Sequence, residues 1–349
     1  MNERIEPPLH KVCYTIYYLV LDVIATLGGW LFLSFYRKNL IYHGSYDFSS
    51  LSEMIFSDTN FYLGAIVIPL IFIFIFAFSD SYREVYRKSR LKELFTTFLQ
   101  CLIAVTIVFF VVVLDDYPYY HYKYLYNVYF SYLGISFSIT YILRLSLMSW
   151  TKKKIKKGKI VFNTLIIGNN SLAEKVYKSI NKDRYDTGQN VIGYVKINGG
   201  EDILKDQLPC LCKLNEIDRI ITEYYVEDAY IVLKPEDYDK ISNVLSNRNI
   251  FDVNLYIVSD VKDIIVTSSV KIHPFSNIAY INVPKYLLST WQSFLKRAID
   301  IFVSVVALIL LLPLLIFIAY KVKKSSPGPI IYKQERIGRY GIPFNIYKF

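Results

Sequence analysis

Gln334, Glu335 and Arg336 stand together near one end of this sequence, and Lys348 follows them closely. An arginine grips phosphate through two parallel N–H donors, and a lysine acts on it as a point charge. These residue types suit an anionic ligand. Read alone, Glu335 and Arg336 are better taken as an ordinary solvated ion pair, which contributes little. A second phosphate-competent pattern is Gly168-Asn169-Asn170-Ser171-Leu172-Ala173. It follows a β-rich run, Lys159–Ile167, and leads into the helix-like stretch Ala173–Ile180. That order offers helix N–H groups to a phosphate, as in the opening of dinucleotide-binding folds. The fingerprint is G-x-G-x-x-G/A. Gly168 fills the first position and Ala173 the last, but Asn170 stands where a glycine lets the backbone approach the pyrophosphate. No acidic residue lies near Tyr194 and Lys196 to hold a ribose. Gly168, Asn170 and Ala173 therefore read as a degenerate nucleotide-binding turn, with nucleotide binding lost or altered.

Other reactive side chains give less. Cys13 and Cys101 fall in apolar runs, and Cys210-x-Cys212 has no second Cys or His pair to complete a four-ligand zinc site. The expectation is free thiols and no metal. His273, beside Pro274, reads as a structural histidine. Tyr230 and Lys234 have Tyr-x-x-x-Lys spacing, yet they lie in a strand-like run. Asp22 sits about ten residues into an apolar stretch, ~15 Å along a helix. A carboxylate there is a functional candidate by default and should face the bundle interior. Arg144 reads as snorkelling to headgroups; a pair with Asp22 is the alternative.

The elements that must position these residues are mostly membranous. The chain has 349 residues, 53% apolar and 17% aromatic, with a formal charge of +10. Val12–Phe35, Phe61–Phe78, Leu94–Leu114 and Leu125–Leu147 each approach the ~20 residues that cross a bilayer as helix. Arg83, Arg87, Lys88, Arg90 and Lys92 lie between the second and third, and a lysine-rich segment, 151–159, follows the fourth. By the positive-inside rule both ends of the four-span bundle face the cytoplasm. The same rule and the attraction of anionic headgroups account for the basic residues, so no nucleic-acid partner is expected. After the linker, strand signals at Ala229–Leu233, Phe251–Val258 and Ile278–Val283 and helical spacing at Pro235–Asn247 describe a mostly parallel α/β sheet.

The run Ile301–Tyr320 is apolar but for Ser304 and Pro313, and basic residues flank it at both ends: Lys296 and Arg297 before, Lys321, Lys323 and Lys324 after. A full span would put one cluster outside. Proline bends a helix, so the expectation is a re-entrant helix that breaks at Pro313. Lys296, Arg297 and Asp300 would anchor it at the membrane surface. Ser326-Pro327-Gly328-Pro329 then turns the chain away.

The order Lys296-Arg297-Ala298-Ile299-Asp300, apolar run, Ser-Pro-Gly-Pro, Gln334-Glu335-Arg336-Ile337-Gly338 and Tyr347-Lys348-Phe349 resembles the opening of the catalytic domain of the bacterial polyprenyl-phosphate sugar-phosphate transferases. Tyr82, Arg90 and Glu93-Leu94 are similar to a short cytoplasmic pattern of that family's larger members. Those members also place a CoA-binding-like Rossmann domain between bundle and catalytic segment. This chain has Leu312-Pro313 where the family usually has Ser-Pro. The resemblance implies three parts: a transmembrane bundle (1–150), a cytoplasmic Rossmann-like domain (151–285) and the N-terminal part of a sugar transferase domain (286–349).

It further implies transfer of sugar 1-phosphate from a UDP-sugar to undecaprenyl phosphate, starting exopolysaccharide or O-antigen synthesis. Gln334, Arg336 and Lys348 would line the diphosphate site. Mg²⁺ would serve the complete enzyme, with no residue here assignable to it. An Asp-Glu pair would act further downstream, and these residues do not contain it. The expectation is a truncated, inactive member of the family in the bacterial inner membrane, multi-pass, with both termini cytoplasmic. Alternatives are a non-catalytic interaction or assembly protein, acting as a homo-oligomer or with other polysaccharide-assembly proteins, and a membrane nucleotide-sugar dehydratase.

Overall fold

The computed structural model describes residues 9–42, 47–113, 122–197, 203–213, 216–232, 253–258, 270–272, 279–283, 288–325, 328–338 and 343–348. One compact unit is made of Pro8–Lys154 with Ser289–Trp291, and the other includes Ile155–Leu288 and Gln292–Phe349.

In the first unit, long helices α1 (Leu9–Ile41), α3 (Thr59–Phe78), α4 (Arg90–Val108) and α5 (Tyr122–Lys156) form a bundle, with the short α2 (Phe48–Phe56) between the first two. Asp58 caps α3 by accepting the Asn60 N–H at 3.0 Å. The body of α3 is apolar on all sides, as for a helix surrounded by other helices and lipid. The bundle core is aromatic. Fully buried Phe72 and Phe76 meet edge to face, and Trp30 stacks on Phe61 while donating Nε1–H to the Phe61 carbonyl at 3.0 Å. Gly64 makes this possible, because a Cβ there would lie 2.3 Å from the Trp30 ring. At its far end α4 widens into a π-helical turn, Phe109–Val113. The α3–α4 turn holds Asp80 and Glu84 at φ 60° and 42°, positive values that non-glycine residues seldom adopt. Asp80 accepts hydrogen bonds from the backbone N–H (3.1 Å) and the hydroxyl of Thr290, which belongs to the same unit.

The second unit holds a seven-stranded sheet. Its strands are β1 (Phe162–Ile167), β2 (Gln189–Lys196), β3 (Cys210–Lys213), β4 (Asp228–Val232), β5 (Asn254–Val258), β6 (Val270–Ile272) and β7 (Ala279–Val283), in the order β3-β2-β1-β4-β5-β7-β6. The first five are parallel; β7 and β6 pair antiparallel. Strand order reverses at β1, the switch point of a doubly wound sheet. Both faces are covered. Leu165 and Ile167 pack on one side with α8 (Ile217–Glu223). Ile166 packs on the other with Ala173, Val176 and Ile180 of α6 (Ser171–Lys182). A helical turn, α7 (Arg184–Thr187), leads into β2. The Rossmann-like expectation holds. Strands β3 and β6 are additions, too short to be read from the sequence. Pro235–Asn247, Lys234 and His273 lie outside the described residues.

Helix α9 (Thr290–Ser325) and the hairpin β8 (Tyr332–Ile337)–β9 (Pro343–Lys348) complete the chain's described elements. Among the described residues, α1, α3, α4, α5 and α9 are five helices long and apolar enough to cross a membrane.

Candidate functional site

Antiparallel register decides what the hairpin can do. Tyr332 pairs with Lys348, Gln334 with Ile346 and Arg336 with Phe344. Directly paired residues share a face, and side chains alternate along each strand. Gln334, Arg336 and Lys348 therefore stand on one face, and Glu335 on the other. The Lys348 ammonium donates to Gln334 Oε1 at 3.0 Å, a diagonal contact across the ladder. Arg336 and Lys348 are exposed and Gln334 is half-buried. A guanidinium, an ammonium and an amide on one open surface suit an anion with several oxygens.

Pro313 does not end the preceding helix. Helix α9 runs from Thr290 to Ser325 with Pro313 inside it, so helical turns lie on both sides of the proline. Proline removes one i→i−4 hydrogen bond, and the remaining turns carry the helix on. Asp300 pairs with Lys296 at 2.6 Å, one helical turn back. Both partners are exposed, so the pair orders the surface more than it stabilises the helix.

At the end of β1, Gly168 has φ 140°, and a Cβ there would lie 2.3 Å from the Val232 carbonyl of β4. This glycine is required by the sheet's switch point. Asn170 is the N-cap of α6. Its side-chain oxygen accepts the Ala173 N–H at 2.8 Å, and its amide approaches the Val232 carbonyl at 3.4 Å. One of the N–H groups that a dinucleotide phosphate would use is thus already satisfied within the protein. Cys210 and Cys212 lie on β3 as free thiols, and burial pushes Cys212 up to about 11. Among the described residues no group of three or more His, Cys, Asp or Glu converges on a metal position. Tyr230 is buried in β4, not on a helix as a dehydratase's Tyr-x-x-x-Lys requires.

The bundle holds a polar cluster whose extent the sequence did not disclose. Arg144 is fully buried, and snorkelling is overturned. Its Nε and Nη2 grip the two oxygens of Asp22 at 2.8 and 2.9 Å. Its Nη1 reaches Glu93 (3.0 Å), Thr97 (2.9 Å) and Gln100 (3.1 Å), and its plane lies over the Phe76 ring at 4.3 Å. Gln100 in turn donates to Ser81 at 2.7 Å. Tyr18 donates to Glu93, and Lys88 meets Glu93 at 3.0 Å and the Tyr18 hydroxyl at 3.2 Å. Burial pushes Lys88 down to about 8, against the pull of Glu93. Two carboxylates and two cations balance, as buried charges must. The missed signal was spacing: Glu93, Thr97 and Gln100 fall at i, i+4 and i+7, a polar stripe along one face of α4.

Two family models match this chain. A bacterial sugar transferase model matches residues 291–349, taking in nearly all of α9 and the hairpin. A CoA-binding domain model matches residues 81–259, half of the chain, from the α3–α4 turn through β5. A UDP-glucose:undecaprenyl-phosphate glucose-1-phosphate transferase of Xanthomonas campestris pv. campestris is 26% identical over 197 residues, covering 55% of this chain and 40% of that protein. The exopolysaccharide production protein PSS of Rhizobium leguminosarum bv. phaseoli is 49% identical over 55 residues, 16% of this chain and 28% of that one. An uncharacterized sugar transferase of Haemophilus influenzae is 26% identical over 232 residues, 64% of this chain and 48% of that one. The chain thus spans less than half the length of these relatives.

Proposed function

This chain belongs to the bacterial polyprenyl-phosphate sugar-phosphate transferase family, and from that premise we propose that it supplies the membrane-embedded and donor-binding parts of an enzyme that moves a sugar 1-phosphate from a UDP-sugar to undecaprenyl phosphate. The observation that carries this reading is the single face shared by Gln334, Arg336 and Lys348. In the reaction the phosphoanhydride P–O bond of the donor breaks, UMP leaves, and a new P–O bond forms to an oxygen of the lipid phosphate. Arg336 and Lys348 hold the donor diphosphate and offset the charge that builds on the departing phosphate. Gln334 keeps the Lys348 ammonium on that face.

The family resemblance implies a covalent intermediate on an Asp of an Asp-Glu pair. Nowhere in the 349 residues is an Asp followed by Glu, and the covalent step is assigned to no residue here. Mg²⁺ commonly binds through one or two carboxylates together with substrate phosphates. No residue of this chain is assigned to hold it.

The bundle holds the chain in the bacterial inner membrane with both of its ends cytoplasmic, and α9 enters the bilayer and returns to that same side at Pro313, so both termini are cytoplasmic. Support comes from the basic residues of the α3–α4 turn and of the segment after α5.

The test is equilibrium binding of UDP-sugars to the full chain in lipid nanodiscs. UDP-sugars should bind and be displaced by UDP, and free sugars should not bind. No saturable binding of any UDP-sugar sinks the donor-site reading.

A further inference from the structure

We propose that the crevice lined by α1, α3, α4 and its π turn, at the Arg37 end of the bundle, is a binding site for one anionic phospholipid. The crevice has a volume of about 560 Å³. Its floor is hydrocarbon and indole, from buried Trp30, Ile68 and Val108. Its mouth carries Arg37, Lys38 and Asp58.

Three observations point to this ligand. The first is the amphipathic lining. An apolar trough ending in charged groups matches an acyl chain joined to a headgroup and would not hold a polar metabolite along its length. The second is charge. Arg37 and Lys38 are the lysines and arginines of residues 36–60, and both line this one crevice. Lys38 is steered there by the Met54 carbonyl at 2.9 Å and Asp58 at 3.4 Å. Two basic side chains at one end of an apolar trough suit the phosphodiester of a lipid headgroup. Under the orientation proposed above these basic residues are outside, where the positive-inside bias disfavours them unless they have a task.

The third is access. Val111 is 60% exposed and Val67 40%, and both line the crevice and belong to membrane-spanning helices, so its apolar part is accessible where lipid chains lie. Val111 belongs to the π turn, an irregularity that often marks functional sites in helices. The Gly64–Trp30 contact keeps the floor in shape.

The headgroup contact does not depend on the leaflet or on the transfer chemistry, so its failure and theirs are separable. The test is native mass spectrometry of the full chain, stripped in detergent and titrated with phosphatidylglycerol, phosphatidylcholine or inorganic phosphate. One phosphatidylglycerol per chain should survive activation, phosphatidylcholine should be lost, and phosphate should leave no adduct. Val111→Trp should abolish retention. Arg37→Gln should weaken it about fivefold, the scale expected for one basic residue at a membrane surface. The thermal midpoint in lipid-free detergent should not move for Val111→Trp; if it does, Val67→Trp takes its place. Equal retention of the two phospholipids, retention by both tryptophan variants, or a phosphate adduct without lipid would each overturn the proposal.

Discussion

Arg144 closes a two-point fork on Asp22 inside an apolar bundle, with Nε–Oδ1 at 2.8 Å and Nη2–Oδ2 at 2.9 Å. The two residues come from the first and last helices of that bundle, α1 and α5, so the fork ties its ends together. Glu93 and Lys88 complete a neutral set of four charges. Such a set favours one helix arrangement over its neighbours, because any slip strands a charge in hydrocarbon.

Removing one partner should therefore be worse than removing both. Arg144→Met leaves two carboxylates against one ammonium and should cost about 3–5 kcal/mol. Combining it with Asp22→Asn leaves Glu93 with Lys88 and should recover much of that loss. Thermal unfolding in detergent across the double-mutant cycle measures this. Additive losses would mean that the two residues do not act as a pair.

Lys88 gives the cluster a pH signature. Its ammonium titrates near 8 in the fold, below its ordinary 10.5, because burial disfavours the charge while Glu93 opposes that effect and Arg144 adds to it. Between those values the unfolded chain binds more protons than the folded one, so this group's contribution to stability rises with pH. Its destabilisation is full below about pH 8 and is relieved toward 10.5. The slope of thermal stability across that window should be shallower in Lys88→Met. An unchanged slope would place the titration elsewhere.

Asn170 should behave as a helix cap, not as a ligand contact. Asn170→Ala should lower stability by about 1 kcal/mol. The full chain should show no micromolar binding of NAD by calorimetry. Tight NAD binding that is lost on Asn170→Ala would reverse that assignment.

Orientation is open to a direct test. Single cysteines at Ser49, on α2, and Glu84, in the α3–α4 turn, can be placed in a chain cleared of native thiols. In intact cells a membrane-impermeant maleimide should label the first and spare the second. The opposite pattern would invert the topology.

How much of this was legible in the sequence depended on whether one element sufficed. Helix length, apolar runs and the β1–turn–α6 order are local, and the structure follows them. The role of Arg144 is not local: snorkelling and burial leave the same trace in α5, and only the packing of α1 and α4 against it separates them. The hairpin face lies between these cases. Alternation along β8 separates Arg336 from Glu335, but placing Lys348 beside Gln334 needs the β8–β9 register. Strands β3 and β6, four and three residues long, carry too few side chains for a pattern to emerge.

The most direct test of the donor-binding claim uses two neighbours on opposite faces. Arg336→Ala and Glu335→Ala, each in the full chain in nanodiscs, can be compared for UDP-sugar affinity. Arg336→Ala should weaken binding about tenfold or more, as expected for a lost charge-assisted contact. Glu335→Ala should leave affinity unchanged or slightly improved. Equal effects from both, or none from Arg336→Ala, would contradict the assignment of this face to the donor diphosphate.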